Sequence, residues 1–255
     1  MQYEAALIVS KIALDSDSLY AAFTSFYEVK GEINKALEYM DLRLAMLEKV
    51  APPAAVLFQK LQSLGKYIKA GRDEVAFQTI GTIEAQLGPP FDKFVPLGYL
   101  DIYLELGDAD NAEKALEGVE TAIQAFQLEL LRPMVLHALG KIHEIRDEYE
   151  EALISYQKQL ELEPTKARIN RRIGRCYRNM GELEKAEEYL NKALKIYSFG
   201  PKSNYEIALV YSDMGKREKA LEYLRIALEV WKDADPAYEP AKRALDKLTE
   251  WESTS

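Results

Sequence analysis

Residues 167–194 read ARINRRIGRCYRNMGELEKAEEYLNKAL, and the spacing inside this stretch decides the fold. Ile169, Ile173, Cys176, Tyr177 and Met180 recur at i, i+4, i+7, i+8 and i+11, which is one face of an α-helix. Gly181 can take the positive φ that ends a helix. A second helix follows from about Glu182, with Leu183, Ala186, Leu190, Ala193 and Leu194 on one side. The stretch is therefore a helical hairpin. Its core, Tyr177–Gly181–Ala186, returns with unchanged internal spacing as Tyr27–Gly31–Ala36, Tyr67–Gly71–Ala76, Tyr103–Gly107–Ala112, His143–Asp147–Ala152 and Tyr211–Gly215–Ala220.

The Ala residues at 36, 76, 112, 152, 186 and 220 are 40, 36, 40, 34 and 34 apart, while the Tyr-to-Ala interval never varies. A tight turn of fixed geometry between helices of adjustable length would give that record. Ala fits the point where the second helix crosses the first, since a larger side chain would push them apart. Gly174 has the same role on the facing helix. The Tyr ring packs across the hairpin with its hydroxyl toward solvent.

These residues resemble the tetratricopeptide repeat family. The fifth unit carries Ile173–Gly174–x–x–Tyr177, Ala186, Leu190 and Ala193. The fourth carries Leu139–Gly140, Ala152, Tyr156 and a closing Pro164, and the sixth Leu209–Val210–Tyr211, Ala220, Leu224 and Ala227. Asn170 departs from the pattern, standing where the family has a bulky aromatic early in the first helix. The resemblance implies an all-α fold, a right-handed superhelical α-solenoid of antiparallel hairpins. The 40-residue spacings imply longer helices than usual and look like the arrays of multidomain bacterial regulators.

Six hairpins are expected over residues 17–234, at about 17–56, 57–92, 93–132, 133–166, 167–200 and 201–234. Pro52–Pro53, Pro89–Pro90, Pro133 and Pro201 fall between units, where Pro suits a new helix's first turn and blocks the old one. Residues 1–16 hold an amphipathic stretch, Glu4 to Ala13, read either as a capping helix or as the second half of a repeat from a longer protein. Residues 235–255 read as a C-terminal capping helix and tail, with Lys242, Arg243, Asp246 and Lys247 on its polar back.

A net charge of −9 argues against a general appetite for nucleic acid or anionic membrane. One cysteine, Cys176, excludes a disulfide framework, and its place on an apolar face points to burial rather than reactivity. No signal peptide or membrane span is evident, so the expected setting is cytoplasmic. The two histidines, His137 and His143, do not share a helical face well. Gly107–Asn111 lacks the Gly and terminal Glu of a calcium loop. No phosphate loop or nucleophile motif is present. The reading is a non-enzyme with no catalytic, metal or cofactor site.

One segment does stand out. Residues 165–180 hold Lys166, Arg168, Arg171, Arg172, Arg175 and Arg178 and no acid. Arg168, Arg171, Arg175 and Arg178, at intervals of 3, 4 and 3, form a stripe opposite the apolar face. In the family that face lines the concave groove where extended peptides bind. The resemblance then implies a partner-binding set of Arg168, Arg171, Arg175, Arg178 and Asn179, with His137 and Lys141 from the fourth unit and Lys202 and Tyr205 from the sixth. Guanidinium groups would suit an acidic or carboxylate-ended segment. The alternatives are a solvated face, or internal pairing with Glu144, Glu206 or Asp213. Glu206 occupies a slot where the family's clamp for chaperone tails needs a basic residue, which argues against that ligand. In the N-terminal half, Phe58, Leu61, Ile68, Phe94, Leu97 and Leu104 take the groove positions, either for an apolar ligand segment or for packing on longer neighbouring helices. The functional expectation is a protein–protein interaction scaffold. The alternative is a sensing or self-associating arm of a larger signalling or transcription protein, with homo-oligomerisation part of that reading. RNA or DNA binding through the arginine stripe is the weakest reading.

Overall fold

The computed structural model describes the backbone of residues 2–253 and the side chains of residues 16–253. Among the described residues the regular structure is helical, without strands. The helices are α1 (Gln2–Lys30), α2 (Ile33–Val50), α3 (Pro53–Leu61), α4 (Leu64–Lys69), α5 (Asp73–Gln86), α6 (Val95–Leu106) and α7 (Ala109–Phe126). They continue as α8 (Arg132–Ile145), α9 (Tyr149–Leu162), α10 (Ala167–Asn179), α11 (Leu183–Ile196), α12 (Pro201–Asp213), α13 (Arg217–Val230) and α14 (Glu239–Ser253). They pack as consecutive hairpins that build an α-solenoid.

The turn chemistry explains the invariant spacing. Gly31, Gly71, Gly107, Gly181 and Gly215 all have left-handed φ, between +69° and +79°, and Asp147 holds the same conformation at +59°. The next residue's N–H then donates back to the Tyr or His carbonyl, as in Glu182 to Tyr177 at 2.9 Å and Glu148 to His143 at 2.9 Å, closing the first helix with a Schellman bond. All six Ala residues of the signature are fully buried. A Cβ on Gly174 would lie 2.7 Å from Leu190 Cγ, so the helices approach closely at that crossing. The Tyr packs on an aromatic twelve residues later, stacked for Tyr27 on Tyr39 and tilted for Tyr177 on Tyr189 and Tyr211 on Tyr223, with centroids 5.3–5.5 Å apart.

Helix length accounts for the long spacings. α2 and α7 have 18 residues where α5, α9, α11 and α13 have 14, one extra turn in each unit followed by a 40-residue step. The first helix of the second unit is split, with α3 and α4 separated at Gln62–Ser63. α1 runs unbroken through residue 16, so the boundary expected there does not appear in the backbone. The Glu4–Ala13 side chains, on which the cap or half-repeat reading rests, lie outside the described residues.

The solenoid closes on itself. The turn of the first hairpin docks on the segment between α13 and α14. Asp235 N–H donates to the Gly31 carbonyl at 3.0 Å, Asn34 N–H to the Asp235 carboxylate at 2.7 Å, and the Trp231 indole to the Val29 carbonyl at 3.1 Å. Ile33 joins the same buried cluster as Trp231, Tyr238 and Trp251. A Cβ on Gly31 would sit 2.5 Å from the Tyr238 ring and 2.9 Å from the Ala234 methyl. The concave face is thus the inner wall of a closed ring, where the sequence suggested an open groove.

Candidate functional site

Closure turns the inner faces of α1, α4, α6, α8, α10 and α12 toward one chamber of about 400 Å³. Charges alternate around its N-terminal side. Lys69 on α4 bonds Glu28 on α1 at 2.8 Å and lies 4.0 Å from Glu105 on α6, and Lys141 on α8 bonds Glu105 at 2.8 Å. Burial works against the charge on Glu105, but Lys141 and Lys69 outweigh it and hold its carboxyl at about 2. Burial likewise opposes the charge on Lys69, yet Glu28 and Glu105 raise its pKa.

The C-terminal side is different. Glu144 on α8 is almost fully buried and accepts from Arg172 at 2.5 Å and from Arg175 at 2.5 Å. Arg178 pairs with Asp213 at 2.7 Å. Two members of the arginine stripe, Arg175 and Arg178, are therefore paired within the fold. The other two, Arg168 and Arg171, line the chamber with no carboxylate of the described residues within ion-pair distance, and so does Lys202 from α12. Arg171 is only 8% exposed. Burial, then Arg172, lower its pKa to about 10, with Glu206 pulling the other way. The Lys202 side chain lines the chamber while remaining exposed to solvent. Partial withdrawal from water, then Arg171, Lys69 and Arg172 around it, pull its ammonium below the usual lysine value, against Glu105.

His137 and Lys141 also line the chamber, whereas Arg175, Arg178, Asn179 and Tyr205 do not. Asn179 is exposed at the end of α10, and Tyr205 packs 6.2 Å from Trp231. Burial and the surrounding cations push the His137 imidazole down to about 2, so it is neutral at physiological pH. Three charged residues of the chamber wall were not singled out from the sequence: Glu28, Lys69 and Glu105. Each is an ordinary charge on a first helix, and only the order of units around the ring brings them together.

A second cavity of about 740 Å³ adjoins the chamber, sharing Lys69, Glu105, His137, Lys141 and Arg168 with it. Phe58, Phe94, Leu97 and Leu104 line its apolar part. Phe94 also stacks on Phe126 at 5.0 Å, and Leu61 is fully buried in the core. The apolar groove positions thus divide between packing and cavity lining.

Cys176 is buried, and burial pushes its thiol up, with the Glu144 carboxylate adding to the shift. No group of three or more metal-ligating side chains gathers among the described residues. None of their helices is long and apolar enough to cross a membrane.

The family model described as tetratricopeptide repeat matches residues 131–198 and 165–232, the units that contain the paired and unpaired arginines. Residues 131–232 are thus tetratricopeptide repeats. The fold likeness runs further than that match. A Signal Transduction ATPase with Numerous Domains, with a tetratricopeptide repeat sensor, from Pyrococcus horikoshii aligns at a TM-score of 0.62 and 20% identity, over 91% of this chain and 36% of that one. A thermophilic tetratricopeptide repeat protein of Thermus thermophilus aligns at 0.58 and 21%, over 74% and 98%. The APC/C hetero-tetramer Cut9–Hcn1 aligns at 0.58 and 19%, over 94% and 46%. These likenesses establish the fold. No curated protein matches the sequence.

Proposed function

We propose that this tetratricopeptide repeat chain is a non-enzymatic interaction scaffold that holds an acidic segment of a partner protein against its inner face. The observation that carries the reading is the set of three cations, Arg168, Arg171 and Lys202, that face the chamber without a carboxylate partner among the described residues. Arg171 is buried there, while Arg168 and Lys202 are exposed, and burying a charge without a counter-charge destabilises a fold. A ligand that supplies the missing negative charge recovers that energy as affinity. The adjoining apolar cavity extends the surface available to such a segment.

Titrating a short labelled Glu-rich peptide and reading fluorescence anisotropy tests this. Binding should weaken with added salt and be lost in the double variant Arg168→Gln with Arg171→Met. Undiminished binding in that variant would remove the basis of the proposal. A sensing arm of a larger signalling protein is the second reading, prompted by the likeness to the Pyrococcus protein, only 36% of which is spanned. Light scattering over a range of concentrations checks the self-association that this reading includes.

A further inference from the structure

The cavity of about 740 Å³ beside the chamber presents a surface that an acidic segment does not cover. Phe58 from α3, Leu97 and Leu104 from α6, Leu131 just before α8 and Met134 in its first turn line it and are only half-buried. Leu130 lines it too and is 91% exposed. Apolar surface gathered in one concavity and left in water is costly, and only an apolar body relieves that cost.

The polar groups of the wall are mostly engaged. Asp101 accepts from the Gly65 N–H at 2.7 Å, Lys69 bonds Glu28 at 2.8 Å and Lys141 bonds Glu105 at 2.8 Å. Gln62 is open to water. Two groups remain, on residues that line both the cavity and the chamber. The Arg168 guanidinium has no carboxylate of the described residues within ion-pair distance, and it is exposed, as suits a cation at a cavity mouth. His137 Nδ1 is buried with no hydrogen-bond partner among the described residues. The cavity is thus apolar over most of its wall, with its one unpaired cation on the side it shares with the chamber.

An extended peptide brings an N–H and a C=O with every residue, and each needs a partner once it leaves water. The apolar side chains offer none, so a peptide backbone laid along them would lose its hydrogen bonds to water without replacement. A hydrocarbon body has none to lose. Cavities of about 300–1,000 Å³, lined by apolar and aromatic side chains with a few polar groups that orient the ligand, are the usual form of small-molecule sites. One guanidinium matches one carboxylate in a two-point pair. We infer that this cavity binds a small amphiphile, a hydrocarbon chain ended by a single carboxylate. Its body lies against Phe58, Leu97, Leu104 and Met134, and its carboxylate meets Arg168 beside His137. The site stands apart from the acidic segment proposed for the chamber and does not depend on it, since Arg171 and Lys202 do not line this cavity.

The test is isothermal titration with hexanoate, octanoate and decanoate, with acetate as the head alone and decanol as the tail with an uncharged head. Each methylene taken out of water should tighten binding about fourfold. Acetate should not bind, and decanol should bind about fivefold more weakly than decanoate, the worth of one exposed ion pair. Arg168→Gln should cost decanoate the same factor and leave decanol unchanged. Lys192→Gln on α11 removes an equal charge away from the cavity and should match wild type. Met134→Glu puts a charge into the apolar wall at a helix N-terminus, where an acid suits the fold, and should abolish decanoate binding. Affinity independent of chain length overturns the inference, as does decanoate binding undiminished in Met134→Glu or in Arg168→Gln. Binding of a Leu-rich acidic peptide that Met134→Glu abolishes, with no binding of decanoate, gives the cavity to a protein partner and equally overturns it. If decanoate binds as expected and a Glu-rich peptide does not bind at all, the scaffold reading falls and this one stands.

Discussion

The two sides of the ring handle buried charge differently. On the N-terminal side the cations Lys69 and Lys141 each have an acid, in the series Glu28, Lys69, Glu105, Lys141. On the C-terminal side Glu144 serves Arg172 and Arg175, while Arg168, Arg171 and Lys202 have no carboxylate of the described residues within ion-pair distance, although the buried Glu206 lies near enough to act on Arg171. The first arrangement explains itself as part of the fold. In the second, the buried Arg171 is a cost to the fold that a ligand can remove, and the exposed Arg168 and Lys202 extend the positive surface beside it.

The largest effect should come from removing an acid that two cations share. Glu144→Gln leaves Arg172 and Arg175 buried without their carboxylate and should destabilise by about 3–5 kcal/mol in denaturant titration. Glu105→Gln on the other side should cost less, because Lys69 keeps Glu28. A ranking in the opposite order would break the comparison.

The next effect concerns closure, which brings the two sides together. Gly71→Ala meets no neighbour and bears only the left-handed backbone, about 1–2 kcal/mol. Gly31→Ala carries the same strain and also drives its methyl into Tyr238 and Ala234. It should cost clearly more and raise the radius of gyration in solution scattering as the ring opens, while Gly71→Ala leaves it unchanged.

The smallest effect is a pH dependence. Glu105 holds its proton less tightly folded, at about 2, than its ordinary value of 4.5 when unfolded. Between those values the unfolded chain holds more protons, so stability should rise with pH from about 2 to 4.5. Glu105→Gln should flatten that rise. A slope unchanged by the substitution would show that Lys141 and Lys69 do not hold the Glu105 charge.

What the residues disclosed on their own was local. The six turns could be read because a left-handed residue, a Schellman bond and an Ala crossing are all settled within one short stretch of chain. Internal pairing of the arginines was half legible: Glu144 and Asp213 stood out as acids on neighbouring first helices, and they do hold Arg175 and Arg178. The burial of Arg171 was not legible. It depends on closure between Gly31–Asn34 and Trp231–Tyr238, a contact spanning 201 positions at Asn34 and Asp235. No periodicity signals such a contact, and residues 231–238 read in isolation as a break before a capping helix. The extra turns of α2 and α7 belong to the readable part, since the 40-residue steps required them.

The central claim is that the C-terminal wall holds cations for a ligand and not for the fold. Measuring the unfolding free energy of Arg171→Met together with its affinity for the acidic peptide tests this most directly. The account predicts that stability stays level or rises, because a buried unpaired charge is replaced by an apolar chain of similar length, while affinity falls. A loss of stability of about 2 kcal/mol or more, in the range of a broken buried pair, with affinity unchanged would contradict it.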